Sequence, residues 1–417
     1  MTPHQPVRIA YVFARALPAR DTDTQQVVKT IDSLARAGAA VDLVVPPAAS
    51  GGDAVTLEHD LRTFYSARGP FGLCVIPGLR AGELCLPSAL RALLVRALPG
   101  TGSGPIELAR PIHGVVGSAF ARQRGYDLVY TRSRAAVLTC IALGQPVVFE
   151  TYRRLGHETP AFVRALGIAA RHDRLLGVIT HSNTALRSFV DASFPAARAA
   201  AIVNGHDPAD WQCRPSKPEA RARLGFARDR ALVVYTGHVG PRKGMPMLLD
   251  VAQRVPDVDF VVVGGNPEEV DVLEHDARAR GLANLRCIGF RPSHELPPFL
   301  LAADVLFIPP TAAPLEQHGR TVLPMKIFSY LAAERPILAG RLPDVAEVLV
   351  DGQNARLVTP DAPDEAARAL RTLLADPELC QRLSEGARRS AAGLTWENRG
   401  RRLLTQLDLW RAPSSLE

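Results

Sequence analysis

What most limits the fold of this chain is a repeated alternation. Short apolar runs, each too short for a helix, are separated by longer stretches rich in Ala, Leu and Arg. The runs are Arg8–Phe13, Ala40–Val45, Leu128–Tyr130, Pro146–Glu150, Gly177–Thr180 and Ala200–Val203, then Ala231–Thr236, Asp259–Val263, Leu285–Ile288, Val305–Ile308, Pro336–Ala339 and Ala355–Val358. They are apolar along their length rather than at every second position. A strand has that pattern when both of its faces are covered, as in a parallel sheet with helices on either side. Patterns such as Thr24–Ala37 and Met247–Gln253 read as those helices. The class is therefore α/β with doubly wound parallel sheets.

The strands fall into two sets of about six, and 417 residues suit two domains. Pro, Asn, Asp and Gly gather in NGHDPADWQCRPSKP (Asn204–Pro218), which marks the break. The chain reads as two tandem Rossmann-like domains, 1–208 and 209–390, facing across a cleft. A C-terminal segment, 391–417, carries a helical pattern over Trp396–Trp410 that is expected to pack on the domain pair. Ser50–Ser118 reads as short helices around a surface loop, PGTGSGP (Pro99–Pro105).

Several classes are excluded. No apolar run reaches the roughly 18 residues of a membrane span. Met1–Arg8 is short and polar and leads into the apolar run Ile9–Phe13, which reads as a buried strand rather than a signal peptide. The six cysteines are scattered, as expected of reduced core thiols in the cytoplasm. The net charge of +7 is diffuse, which suits phosphorylated ligands or an anionic membrane face contacted peripherally, and not nucleic acid. No pair of histidines or carboxylates has the spacing of a metal site, so no metal and no tightly bound cofactor is expected.

Ligands of such sheets sit at the carboxyl ends of strands, against helix N-termini. The first segment so placed is YTGHVGPRKGMPMLL (Tyr235–Leu249). Gly237, Gly240 and Gly244 permit close approach of backbone, and His238, Arg242 and Lys243 supply donors and charge for a diphosphate. Only four of the 49 basic residues are lysine: Lys29, Lys217, Lys243 and Lys326. A compact, mobile ammonium in a chain that otherwise writes charge as arginine makes Lys243 and Lys326 the sharper candidates, and leaves Lys29 and Lys217 as surface residues. Gly264 and Gly265 follow the next strand in VVVGGN. Further on, PPTAAPLEQHGRTVLPMKIFSYLAAERPILAG (Pro309–Gly340) carries Glu316, Thr321 and Lys326. Pro324 suits the first turn of a helix, leaving the amides around Val322–Met325 free for an anion. In the N-terminal half, Glu150 ends a strand, with Tyr152 and His157 just beyond it; His181 also follows a strand.

Taken together, TGHVGPRKG (Thr236–Gly244), VVVGGN (Val261–Asn266), IGFRPSHELPPFLLAADVLFIPP (Ile288–Pro310), LPMKIFSYLAAERPILAGRLPDVAEVL (Leu323–Leu349) and LTWENRGRRLL (Leu394–Leu404) resemble the retaining glycosyltransferases of the GT-B fold, family 4 type. The resemblance covers Asp127–Leu407 well and the first 126 residues in outline. It implies a donor nucleotide-diphospho-sugar (UDP-, GDP- or ADP-linked) bound by the C-terminal domain and a hydroxyl acceptor on a glycan, lipid-linked glycan or small metabolite. It implies that Lys243 and Arg242 hold the phosphates, that amides at Val322 and Leu323 assist, and that Phe290 and Arg291 meet the base. The chain departs from the family at several points. His238 stands where the family has arginine. Thr321 and Ser329 stand where it has two glutamates, the second of them the ribose ligand, with Glu316 as candidate replacement for the first. Glu334 replaces a glycine, and Tyr152 a histidine that His157 could replace. The glycine-rich acceptor loop becomes ARALPARDTDTQQ (Ala14–Gln26), with Arg20, Asp21 and Thr24 as acceptor-side candidates beside Glu150. Two other readings stay open. One is a degenerate, non-catalytic binding or scaffold subunit. The other is a different two-domain α/β enzyme, such as an epimerase or a dehydrogenase; the missing GxGxxG counts against the dehydrogenase.

Overall fold

The computed structural model describes residues 6–47, 54–76, 105–171, 173–317 and 321–412, with backbone alone at 54, 105–109 and 316–317. Its strands form two all-parallel sheets. The first holds β1 (Arg8–Val12), β2 (Ala40–Val45), β3 (Gly72–Val75), β4 (Leu128–Thr131), β5 (Val147–Thr151), β6 (Leu175–Thr180) and β7 (Ala199–Ala201), in spatial order β3-β2-β1-β4-β5-β6-β7. The second holds β8 (Ala231–Thr236), β9 (Val258–Val263), β10 (Leu285–Gly289), β11 (Val305–Phe307), β12 (Ile337–Gly340) and β13 (Arg356–Val358), in order β10-β9-β8-β11-β12-β13. Both are doubly wound. The order reverses between β1 and β4 in one and between β8 and β11 in the other, so the helices after those neighbouring strands cover opposite faces and leave room at the strand ends.

The continuous apolar runs have the expected cause. Ile9 and Tyr11 of β1 pack in one core with Leu43, Tyr130 and Ile179, while Ala10 and Val12 pack in another with Val44, Val129 and Phe149. Each strand thus feeds two cores, which removes any reason for polar alternation. One strand, β3, was not expected. It is a four-residue edge strand, half-buried throughout, inside the apolar run Phe71–Ile76, a signal of the same kind as the others that sequence reasoning missed. Where short helices are expected over Ser50–Ser118, one long helix, Pro105–Gln123, runs past the end of that stretch; Pro111, Gly114 and Gly117 interrupt its pattern.

The chain divides into a first unit, Met1–Val203 with Trp396–Glu417, and a second, Asn204–Thr395. This differs from the expected 1–208, 209–390 and 391–417. Val203 still belongs to the first unit, its carbonyl accepting from Arg399 at 3.1 Å. His206 already belongs to the second, its backbone N–H reaching the Leu394 carbonyl at 3.0 Å. The helix Trp396–Arg411 is part of the first unit's core: Leu403, Leu407 and Trp410 pack with Val28 and Ile31 of the helix Thr22–Arg36. Two glycines make this docking close. A Cβ on Gly400 would lie 2.1 Å from the Ser33 carbonyl oxygen, and one on Gly177 of β6 would lie 2.5 Å from the Trp410 ring. The Trp410 indole N–H donates to the Ala197 carbonyl at 2.7 Å. Gly400→Ala is expected to force the two helices apart and cost about 1–3 kcal/mol. Urea denaturation would show this as a lowered midpoint, and an unchanged midpoint would refute the close packing.

Among the described residues no helix is long and apolar enough to cross a membrane. Of the cysteines described, Cys140 is buried but Cys213 is exposed, so the expectation of core thiols fails for Cys213.

Candidate functional site

In the second unit the chemistry gathers where the sheet reverses. Gly237 leaves β8 with φ 127° and Gly264 leaves β9 with φ 139°, values open to glycine and unfavourable to other residues. The two turns touch. A Cβ on Gly264 would stand 1.9 Å from the Gly237 carbonyl oxygen, and a Cβ on Gly237 would stand 3.0 Å from Lys326 Nζ. The space a side chain would take is thus given to a lysine. Lys326 opens the helix Lys326–Ala333, which is fixed against β8 by the Tyr330 hydroxyl accepting the Thr236 N–H at 2.8 Å. Its ammonium lies 3.5 Å from the centre of the Tyr235 ring, a cation–π contact. The Tyr235 hydroxyl in turn donates to the His238 carbonyl and holds the turn after β8.

That turn continues as a short 3-10 segment, Pro241–Lys243, which ends at Gly244 (φ 85°) and leads into the helix Met245–Arg254. Arg242 is exposed and Lys243 half-buried. Burial lowers the proton affinity of Lys326 far below that of a free lysine, and the charge on Lys243 lowers it further. Burial and then Arg242 lower that of Lys243. Among the described residues neither Arg242 nor Lys326 has an ion pair with a carboxylate. Three basic side chains and the positive end of a helix therefore share one place, an arrangement that favours a polyanion.

The loop before Lys326 departs from expectation. The amides around Val322–Met325 were expected to be free. Instead the Val322 N–H donates to the buried Asp344 carboxylate at 3.2 Å. Pro324 stands ahead of the helix rather than in its first turn, and its carbonyl accepts the Ile327 N–H at 3.1 Å. Thr321 and Leu323 are buried, and Ser329 is half-buried one turn on from Lys326. Glu334 ends the helix at φ 55°, a left-handed position that explains why glycine suits it, and pairs with Arg214 at 3.1 Å. Phe290 and Arg291 follow β10, and the Arg291 guanidinium donates to the Phe290 carbonyl at 3.3 Å. Gly265, at φ 83°, packs on Val239. Glu316 lies on the short helix Ala313–Gln317, and its side chain falls outside the described residues, as do His318 and Arg320.

In the first unit the candidates also lie at the reversal point, but they are used differently. Glu150 was read as facing a ligand; it is buried and saturated. Its carboxylate takes Arg399 at 2.6 Å, Arg132 at 3.1 Å and the Tyr11 hydroxyl at 3.2 Å. Burial pushes its proton affinity up, but Arg132 and Arg399 outweigh that and hold the group below the ordinary carboxylate range. Arg132 reaches on to Asp23 at 2.7 Å and Gln26 at 3.0 Å, and lies over the Tyr152 ring. Asp21 pairs with Arg15. The Thr24 hydroxyl is spent on the Ala19 and Asp21 carbonyls, so Thr24 shapes the loop rather than offering a donor. Arg20 and His157 are exposed. The histidine next to Tyr152 is His181, with ring centres 6.1 Å apart. Burial, then Arg132 and Arg399, lower its proton affinity to about 3, so it is neutral at ordinary pH.

Sequence reasoning missed Arg132, Arg399 and Asp344. Among so many arginines the first two carry no local mark, and Asp344 meets its partner only in the fold. It also misplaced Lys29, which is 2% exposed, its ammonium donating to the Ser66 carbonyl at 3.1 Å. Lys217 does lie at the surface, paired with Asp304 at 2.7 Å. Among the described residues no group of three His, Cys, Asp or Glu side chains stands close enough to hold a metal.

Residues 216–390, less than half of the chain, match the family described as glycosyl transferases group 1. An alpha-D-kanosaminyltransferase of Streptomyces kanamyceticus is 32% identical over 43% of this chain and 45% of its own length, so the chain spans about half of that relative. A D-inositol 3-phosphate glycosyltransferase of Thermomonospora curvata is 26% identical over 91% of this chain and 88% of its own. The crystal structure of an Anabaena protein, Alr3699/HepE, in complex with UDP-glucose superposes with a TM-score of 0.67 at 18% identity, covering 96% of this chain and 99% of that one. The chain is thus a two-unit Rossmann-like relative of the group 1 glycosyl transferases, with the family match lying in its second unit.

Proposed function

We propose that the chain is a retaining glycosyltransferase that moves a sugar from a nucleotide-diphospho-sugar to a hydroxyl acceptor. The observation that carries this reading is the cluster of Arg242, Lys243 and Lys326 against Gly237 and Gly264. In such a transfer the bond from the anomeric carbon to the diphosphate oxygen breaks, and its electron pair leaves with the phosphate. The acceptor oxygen forms the new bond on the same face, and its proton passes to the leaving phosphate. The growing negative charge is the main thing to be stabilised, and preorganised cations do this without rearrangement. The names of the relatives, and the UDP-glucose in the Anabaena structure, support the substrate class. Gly237 and Gly264 would let the diphosphate approach backbone, with Gly265 beside them. Phe290 and Arg291 would meet the base, and Ser329 would offer the ribose a single hydroxyl in place of a carboxylate. The acceptor-side residues, Arg20, Asp21 and Tyr152, belong to the first unit.

A thermal-shift screen with UDP, GDP and ADP tests the donor. One of the three is expected to raise the melting temperature, since ligand at about 100 times its Kd adds about 2.7 kcal/mol. Sugar donors of that base are then expected to be hydrolysed slowly without acceptor. No shift with any of the three would sink the donor-site assignment.

A further inference from the structure

We propose that this site binds a nucleoside diphosphate together with a proton, taken up by the amine of Lys326. The inference rests on the reading above, that the cation cluster is a diphosphate site, and adds how its charge is regulated. The Lys326 amine is packed against Gly237 and the Tyr235 ring, in a space where a Cβ would stand 3.0 Å away. It has no carboxylate partner among the described residues. Among the described residues no carboxylate faces it, and the attraction on its charge is the cation–π contact of one ring. From β8 comes Tyr235, a phenol that burial keeps neutral. From the turn after β8 come Lys243 and, beyond it, Arg242, both cationic. From its own helix come the Tyr330 phenol and the positive helix end. Glu269, on the helix Pro267–Ala279, acts on Tyr235 and accepts the Asn266 backbone N–H at 3.0 Å; it makes no ion pair with Lys326. Glu316 lies outside the described residues as a side chain.

A buried amine among like charges sheds its proton readily. A diphosphate placed against Lys243 reverses the local sign and makes the ammonium the favoured form. The proton comes from solvent, and no covalent bond changes. The complex then holds more protons than its separate components, so affinity falls as pH rises. Above about pH 7.5 the terminal phosphate, whose second pKa is about 6, is already ionised, so any remaining slope belongs to the protein.

The test is titration calorimetry of the full chain with UDP, GDP or ADP, in buffers of different ionisation enthalpy above that pH. The expected result is a net proton uptake that is a sizeable fraction of one. The Kd should weaken by up to about tenfold per pH unit. In Lys326→Arg, which keeps the charge but cannot release it, the uptake and the slope should vanish. Competitive acetylation of the free wild-type protein, read by mass spectrometry, gives the titration midpoint of Lys326 without any variant; it should lie below that of exposed Lys217. Nucleotide binding with no proton uptake, uptake unchanged in Lys326→Arg, or a midpoint equal to that of Lys217 would each overturn the proposal while leaving the donor reading intact. Absence of binding by all three nucleotides would overturn both.

Discussion

Replacing Lys326 with methionine is expected to make the protein more stable and, at the same time, unable to bind its nucleotide well. The two effects have one source. In the free protein the Lys326 amine stands beside Lys243 with no carboxylate partner among the described residues, so it must either carry a desolvated charge or give up its proton, and both are costs relative to the unfolded chain. Methionine is a similar length, keeps the contact with the Tyr235 ring and carries no charge to desolvate. The gain should be about 1 kcal/mol, seen as a melting temperature raised by a few degrees. Binding should fall by about 100-fold, because the diphosphate loses one partner of a buried charge pair. Lys243→Ala should lose affinity as severely but without the stability gain, because burial depresses the proton affinity of Lys243 less than that of Lys326. Equilibrium melting and calorimetry on the same samples separate the terms. A Lys326→Met protein that melts lower than wild type and binds normally would show that the lysine is structural.

Glu150→Gln is expected to be the most damaging single change in the first unit, at about 3–5 kcal/mol. The size follows from what is left behind. Arg132 and Arg399 both direct a guanidinium at this carboxylate, 11% and 2% exposed, and neutralising it leaves the buried Arg399 without its carboxylate and Arg132 with Asp23 alone. Arg399→Met should cost less, because Glu150 keeps Arg132 and the Tyr11 hydroxyl. The same pairing gives a pH signature. Arg132 and Arg399 hold the Glu150 carboxyl below its ordinary value of 4.5 in the folded state. The stability this confers is fully present above the unfolded value and is lost as pH falls through the lower, folded one. Wild-type protein should therefore lose stability progressively below about pH 4.5, and Glu150→Gln, already lacking that contribution, should show a shallower fall. Urea midpoints measured from neutral pH downward test this. Equal slopes in the two proteins would place the acid sensitivity elsewhere.

How much of this was readable in the sequence depended on range. The doubly wound class followed from continuous apolar runs, because burial on both faces writes itself directly into a strand such as Val129–Tyr130 or Val261–Val263. The edge strand β3 lies in a comparable run, Phe71–Ile76, and was missed because it is short and stands in a stretch that reads as short helices. Gly237, Gly264 and Lys243 could be picked out because glycines after strands and a lysine before a helix are local patterns with a physical use. Lys326 needed its rarity in an arginine-rich chain. What stayed hidden was every contact between residues far apart in sequence. Arg399 meets Glu150 across 249 positions, and nothing near Glu150 announces that its charge is already satisfied. Asp344 reaches the Val322 amide across 22 positions and occupies a donor that looked free. His181 lies beside Tyr152, although His157 is nearer in sequence and stays exposed.

The docking of Trp410 on Gly177 has a consequence for how the protein is made. The first unit opens the chain, yet three of its core residues, Leu403, Leu407 and Trp410, are the last to be translated among its apolar anchors. A chain that has reached residue 395 holds every residue of the second unit and none of the final helix. The first unit, begun earlier, still exposes the floor on which the final helix will sit. Order of synthesis and order of completion are therefore inverted. A chain released just before Trp396 would present the uncovered floor of its first unit to chaperones, while no residue would be missing from its second.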